Sequence, residues 1–310
     1  MTTDQPPETS RTGIAYGIGA YGIWGLVPIF WVLLERASAF EILAHRMIWS
    51  FVFAVLMSYL MLPRGWFRRF ASRRKLIMLG LAAVVISINW GTFIWATMNG
   101  HVTEVALGYY INPIVSILLG VIVLRERLRR WQWFAVGLAG AAVLVLTIEY
   151  GRPPWIALVL AFAFGSYGLL KNRVRGGAVE TLVIESGFQL VPATAYVIFL
   201  QVTGAATFIQ LGWGHSLLLA AGGLITLVPL LLFSAAATRI PLTMLGFLQY
   251  LAPTLHFILG VLYFGEQMTL GRWVGFALVW VALIVLTSGM VISMRQQSRL
   301  RRESERLGLS

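Results

Sequence analysis

Glu41, His45 and Trp49 stand at i, i+4 and i+8, with Arg46 beside the histidine. On a helix that spacing lines three side chains along one face. Such a stripe can hold a titratable imidazole between a carboxylate and a ring. The plainer reading of the same residues is a helix-end cap, with Arg46 snorkelling to an interface and meeting Glu41 or Glu104. Glu185 is the one acid clearly inside an apolar run, and Gln189 follows one turn later on the same face. It reads either as a proton or substrate site or as a hydrogen-bonded packing residue near a rim. His256 is the remaining ionisable group in such a run. The proton or ion-pair candidates are thus Glu41, His45, Arg46, Glu185 and Gln189.

A second set is uncharged. Asn89, Trp90 and Trp95 share one run, Tyr109, Tyr110, Asn112 and Ser116 another, and Gln249 and Tyr250 a third. Aromatic walls with a few polar groups suit a moderately apolar small molecule. Trp and Tyr also gather at membrane interfaces, but Tyr110 and Tyr250 fall well inside their runs. Pro113 and Pro253 predict kinks that free backbone carbonyls nearby.

Other chemistries find no support in the sequence. There is no cysteine, which removes disulfides, thiolate metal sites and cysteine nucleophiles. The four histidines are scattered and form no zinc pattern, and no GxxxxGK[ST] loop is present. No Ser/His/Asp or paired-carboxylate arrangement stands out. The expectation is no catalytic residue, no metal and no cofactor, and an ATP-driven pump is disfavoured.

The elements that must position these groups are membrane helices. Of 310 residues, 58% are hydrophobic and only 12% charged, against roughly a quarter charged in soluble domains. A spanning helix needs roughly 20 apolar residues. Charge-poor runs lie at 14–34, 42–62, 76–98, 104–124, 131–149, 153–170, 181–202, 216–238, 241–264 and 273–294. Backbone polar groups in lipid must bond internally, so these are helices. With a cytoplasmic N-terminus, 20 of the 24 Lys and Arg fall in inside segments and 4 in outside ones, the alternation that positive-inside topology requires. The net charge of +12 therefore reads as topology, and nucleic-acid binding is not expected. Residues 1–12 carry Asp4 and Glu8 and lack the basic start of a signal peptide. They read as a cytoplasmic tail, as does the basic segment 295–310, helical or disordered.

The halves repeat. Residues 106–147 align without gaps on 246–287: Tyr110 with Tyr250, Pro113 with Pro253, Gly120 with Gly260, Glu126 with Glu266 and Trp133 with Trp273. Earlier, Glu41-Ile42-Leu43 parallels Glu180-Thr181-Leu182, which sets Arg46 opposite Glu185. Repeat 1 is 13–149 and repeat 2 is 153–294, five helices each. An odd number turns the second copy upside down, the inverted architecture of many secondary transporters, with the site near the midplane. Inversion also sets Arg46 near the outer face and Glu185 near the inner one, about 15 Å apart in a core of roughly 30 Å.

The stretches Glu41-Ile-Leu-Ala-His45-Arg46-Met-Ile-Trp49-Ser, Gly108-Tyr-Tyr-Ile-Asn112-Pro113, Gly246-Phe-Leu-Gln249-Tyr250-Leu-Ala-Pro253-Thr and Tyr263-Phe-Gly-Glu266 resemble RarD-type permeases of the EamA group, in the drug/metabolite transporter superfamily. The resemblance covers about 13–292. It implies an all-α membrane protein with ten transmembrane helices in two inverted five-helix repeats, a central cavity, cytoplasmic ends and a bacterial inner-membrane location. It also implies a secondary transporter that exports a drug or small organic metabolite, with the small-molecule substrate and the lipid bilayer as partners. His256 is a departure from the branch pattern. An intramembrane enzyme acting on a lipid or isoprenoid group stays as the alternative, built around Glu41, His45 and Arg46. A non-transporting sensor is a third reading. Monomer and homodimer both remain open.

Overall fold

The computed structural model describes residues 10–125, 128–174 and 176–306. Glu126, one half of the repeated Glu pair, lies outside them. The order is α1 (Arg11–Val32), α2 (Ala39–Met61), α3 (Trp66–Phe70), α4 (Arg73–Met98), α5 (Val102–Leu124), α6 (Arg130–Tyr150), α7 (Trp155–Val174), α8 (Ala178–Thr203), α9 (Gly212–Ala237), α10 (Leu242–Leu248), α11 (Leu251–Ile258), a π-helical turn (Leu259–Tyr263) and α12 (Leu270–Arg306). Among the described residues, ten helical segments are long and apolar enough to cross a membrane. They coincide in order with the ten runs read from the sequence. Large apolar side chains such as Tyr59, Ile148, Val202 and Leu262 stand on the outside, where lipid rather than water is the natural solvent.

Three features differ from ten simple rods. A short amphipathic helix, α3, lies between the second and third spans. The tenth span runs unbroken to Arg306, so most of the segment 295–310 is helical. The ninth span is in pieces: α10 stops at Leu248, Gln249 and Tyr250 form a turn, α11 restarts at Leu251, and a π turn ends the span. Proline lacks the N–H that would bond four residues back. Pro253 therefore leaves the Gln249 carbonyl without its helical donor, and the chain breaks there. Pro28, Pro113, Pro192 and Pro229 sit inside helices that continue past them.

The chain divides into two compact units, one comprising the residues up to Tyr109 with Ile156–Gln267, the other Tyr110–Trp155 with the residues from Met268. In the first, α1 packs on α9 and α11, and α2 packs on α8, α9 and α4. Small residues permit this, because apolar helices in lipid gain little from burial alone and associate by close packing. A Cβ on Gly25 would meet Leu255 Cβ at 2.8 Å, and one on Gly223 would meet the Ser50 backbone nitrogen at 2.7 Å. In the second unit α6 packs on α12. Gly275 lies against Leu146 and Gly289 against Trp131, so the two helices run antiparallel along their length. α2 with α8 and α6 with α12 are the pairs that correspond in the sequence repeat.

Candidate functional site

The α2 stripe is split between two environments. Ser38 caps the helix by accepting from Glu41 N at 3.1 Å. Glu41 Oε1 in turn accepts from Thr207 N at 2.6 Å and Phe208 N at 3.2 Å in the α8–α9 connection. His45, one turn on, stacks on the Phe208 ring at 4.5 Å, and neither ring nitrogen has a hydrogen-bond partner among the described residues. Arg46 is rotated away by one helical step. Its Nε donates to Thr226 Oγ1 on α9 at 2.8 Å. Its guanidinium carbon lies 4.0 Å from the Trp90 ring centroid on α4 and 5.6 Å from that of Trp31 on α1. It is 5% exposed, and Nη1 has no hydrogen-bond partner among the described residues. The expected pairing of Arg46 with Glu41 or Glu104 is not what the structure shows. Glu41 is committed to backbone N–H groups, and Glu104 Oε1 accepts from Ile156 N at 3.1 Å at the start of α7.

The uncharged set falls in three places. Asn89 is buried: its Nδ2 donates to the Leu160 carbonyl at 3.0 Å, and its Oδ1 accepts from the Tyr109 hydroxyl at 3.1 Å. The Tyr109 ring packs against Phe93, Phe164 and His256 at centroid distances of 6.1, 6.0 and 5.7 Å. His256 on α11 is buried, with Nε2 3.1 Å from the Trp24 carbonyl of α1. Helices α1, α4, α5, α7 and α11 thus meet at one polar-aromatic cluster. Trp90 belongs to the Arg46 environment, and Trp95 turns to His101 at the α4–α5 connection. Tyr110 and Asn112 lie in the second unit, where Tyr110 meets Trp280 at 6.3 Å and Asn112 Oδ1 is buried with no hydrogen-bond partner among the described residues. Gln249 and Tyr250 form the break in the ninth span.

Glu185 sits near the α8 start with a full set of partners. Lys171 Nζ donates to it at 2.8 Å and the Tyr167 hydroxyl at 3.0 Å, both from α7. Gln189 points away from that pair, its Nε2 donating to the Ala83 carbonyl at 3.1 Å and to Ser87 Oγ at 2.8 Å. It borders an apolar groove of about 350 Å³ between α2, α4 and α8, lined by Leu43, Met47, Ile88, Phe188 and Tyr196 among others. No group of three or more His, Asp or Glu among the described residues is placed to hold a metal.

The comparisons with known proteins decide the family. The model of the EamA-like transporter family matches twice, at residues 11–148 and 153–288. This chain belongs to that family. The permease is 54% identical to Protein RarD of Streptomyces exfoliatus over 292 residues, 94% of this chain and 93% of that one. It is 41% identical to Protein RarD of Escherichia coli K12, covering 94% and 99%. An uncharacterized transporter of Pseudomonas aeruginosa is 39% identical, covering 92% and 96%. A solved crystal structure covers 89% of this chain and 97% of its own at a TM-score of 0.54 and 17% identity, a likeness of fold. The permease is thus a multi-pass bacterial membrane protein of the RarD type, a transporter of the drug/metabolite kind.

Several residues of the permease that matter here were silent in the sequence. Trp31, Thr226 and Trp24 carry no charge and sit in apolar runs, so only the fold reveals their contacts. Lys171 reads as a loop cation, yet α7 extends far enough to bring it to Glu185. Glu266, half of the repeated Glu pair, reaches across to accept from Val102 N, Thr103 N and Thr103 Oγ1 at the start of α5. It supplies the anionic cap that the first turn of a helix needs. Glu266→Ala leaves those N–H groups without an acceptor at a part-buried site. Its expected cost is about 1–3 kcal/mol, read as a lower melting temperature of the purified permease with Glu266→Gln intermediate.

Proposed function

We propose that this permease is a secondary carrier that exports a small organic metabolite or drug across the bacterial inner membrane by alternating access, with both termini in the cytoplasm. One observation carries the reading. The family match occurs twice in one chain, and each copy holds five spans. Two copies with an odd number of crossings face opposite ways, and a carrier so built can expose one midplane site to each side in turn. The loop charges support the orientation.

The site in this reading lies in the first unit, where Asn89, Tyr109 and His256 present amide, phenol and imidazole among aromatic rings. The broken ninth span fits the same role, since unwound backbone in a membrane is tolerated where it lines a cavity or is buried in protein. The enzyme alternative draws no support from the geometry. Glu41 and His45 both meet Phe208, Arg46 turns to Thr226, and no hydrogen bond joins the three among the described residues.

The test is counterflow. Purified permease in proteoliposomes preloaded with an unlabelled metabolite panel should accelerate uptake of the labelled member it carries, with the product chemically unchanged. Uptake that never responds to internal substrate, or chemical conversion of the panel, would overturn the carrier reading. Asn89→Ala removes the acceptor for Tyr109 and the tie to α7. It should cut exchange at least about tenfold, the effect of a ~1.4 kcal/mol loss.

A further inference from the structure

We propose that Arg46 anchors the anionic group of the transported molecule, which makes the substrate an organic oxyanion, a carboxylate or phosphate ester on a flat apolar body. The proposal rests on the carrier reading above and names its substrate class. A cation inside a membrane span is costly, and such residues pair with one another, with backbone carbonyls or with what passes through. Lys171 follows that rule by pairing with Glu185. Arg46 does not. It forms no ion pair among the described residues, and the acids expected to pair with it, Glu41 and Glu104, accept from backbone N–H groups instead.

Of the five N–H donors on a guanidinium, the structure accounts for Nε alone, on Thr226. The Trp90 and Trp31 rings stabilise the charge only in part, short of what it loses on leaving water. Trp31 contributes a second buried donor, Nε1, that also lacks an acceptor. Donors without acceptors, one of them charged, call for an anion from outside the chain. Arginine rather than lysine fits a planar, two-oxygen acceptor, because its fork matches carboxylate and phosphate geometry. The two indole rings beside the guanidinium make its surroundings aromatic and apolar, which suits an apolar body on the anion.

The experiment uses the full-length permease in nanodiscs of phosphatidylcholine alone, with thermal shift as the readout. The probes are benzoate, phenyl phosphate and their neutral counterpart benzamide. Benzoate or phenyl phosphate should raise the melting temperature, benzamide should not, and whichever anion acts at lower concentration identifies the group. Arg46→Met should weaken that anion's apparent affinity at least about tenfold, and Arg46→Lys, which keeps the charge without the fork, should weaken it less. Should Arg46→Met fail to fold, the wild-type comparison of anion with benzamide still decides the question. Equal shifts by benzamide, no shift by either anion, or an unchanged anion response in Arg46→Met would each overturn the proposal. So would an Arg46-dependent shift on adding phosphatidylglycerol that abolishes the benzoate response, since a lipid headgroup would then be the occupant. Binding and movement are read separately. Exchange of a neutral substrate in proteoliposomes would keep the carrier and remove the anion, and an anion shift without exchange would do the reverse.

Discussion

Gly223→Ala is expected to destabilise the permease by at least about 3 kcal/mol, the upper end of the usual cost of overpacking. A Cβ at this position would lie 2.5 Å from the Trp49 carbonyl carbon and 2.8 Å from Trp49 Cβ. The obstruction is largely backbone, which cannot swing aside as a side chain does. α9 would have to draw back from α2 along the crossing. Thr226 lies three residues further on α9, so the same movement would take its hydroxyl away from Arg46. Two losses should therefore appear together: a lower melting temperature for the purified protein, and slower exchange in whatever folded fraction remains. Gly22→Ala is the matched control. Nothing lies within 4 Å of its added methyl group, and replacing a helical glycine by alanine is favourable by about 1 kcal/mol on propensity alone. A Gly223→Ala protein that melts like wild type would show that α9 is free to slide on α2.

The spans were legible because the bilayer imposes a single rule on every residue in it. A stretch long enough to cross must be apolar and helical, and its flanking Lys and Arg settle on one side. The break in the ninth span was legible in part. Pro253 announced a freed carbonyl, but four other prolines sit in helices that stay whole, so the residue type alone does not say which proline breaks its helix. The surroundings of this break are tertiary: α11 packs on α1, with His256 Nε2 3.1 Å from the Trp24 carbonyl.

The environment of Arg46 was not legible, for a different reason. Charge invites a search for opposite charge, and the acids at similar depth are Glu41 and Glu104. Both acids, however, serve backbone N–H groups, Glu41 in the α8–α9 connection and Glu104 at the start of α7, a use that leaves no pattern in the sequence. The groups that hold Arg46 are neutral and come from three other helices. The repeat read from the sequence bears on this residue too. It sets Arg46 opposite Glu185, one basic and one acidic at corresponding places. The acid has its countercharge within the chain, and the base forms no ion pair among the described residues. In the carrier proposed above, that difference fits one half gripping the cargo and the other not.

That asymmetry makes the Lys171–Glu185 pair the sharpest remaining test. Breaking a buried pair by removing one partner costs about 3–5 kcal/mol, while replacing both with apolar residues is often close to neutral. The Lys171 side chain is 25% exposed and that of Glu185 4%, so screening lowers the figure to about 1–3 kcal/mol. The two single variants should differ. Glu185→Leu leaves the ammonium with Thr181 Oγ1 at 2.5 Å and the Tyr167 ring at 5.5 Å. Lys171→Met strands a nearly fully buried carboxylate with only the Tyr167 hydroxyl, and should be the worse of the two. The double variant should melt near wild type, giving a coupling energy that a double-mutant cycle reads directly. Transport then separates structure from coupling. If Glu185 carries the proton that drives export, the double variant and Glu185→Gln should still perform counterflow, which needs no ion gradient, and lose uptake driven by a pH gradient in inverted vesicles. Full gradient-driven uptake by Glu185→Gln would end the proton role and leave the pair as a tie between α7 and α8.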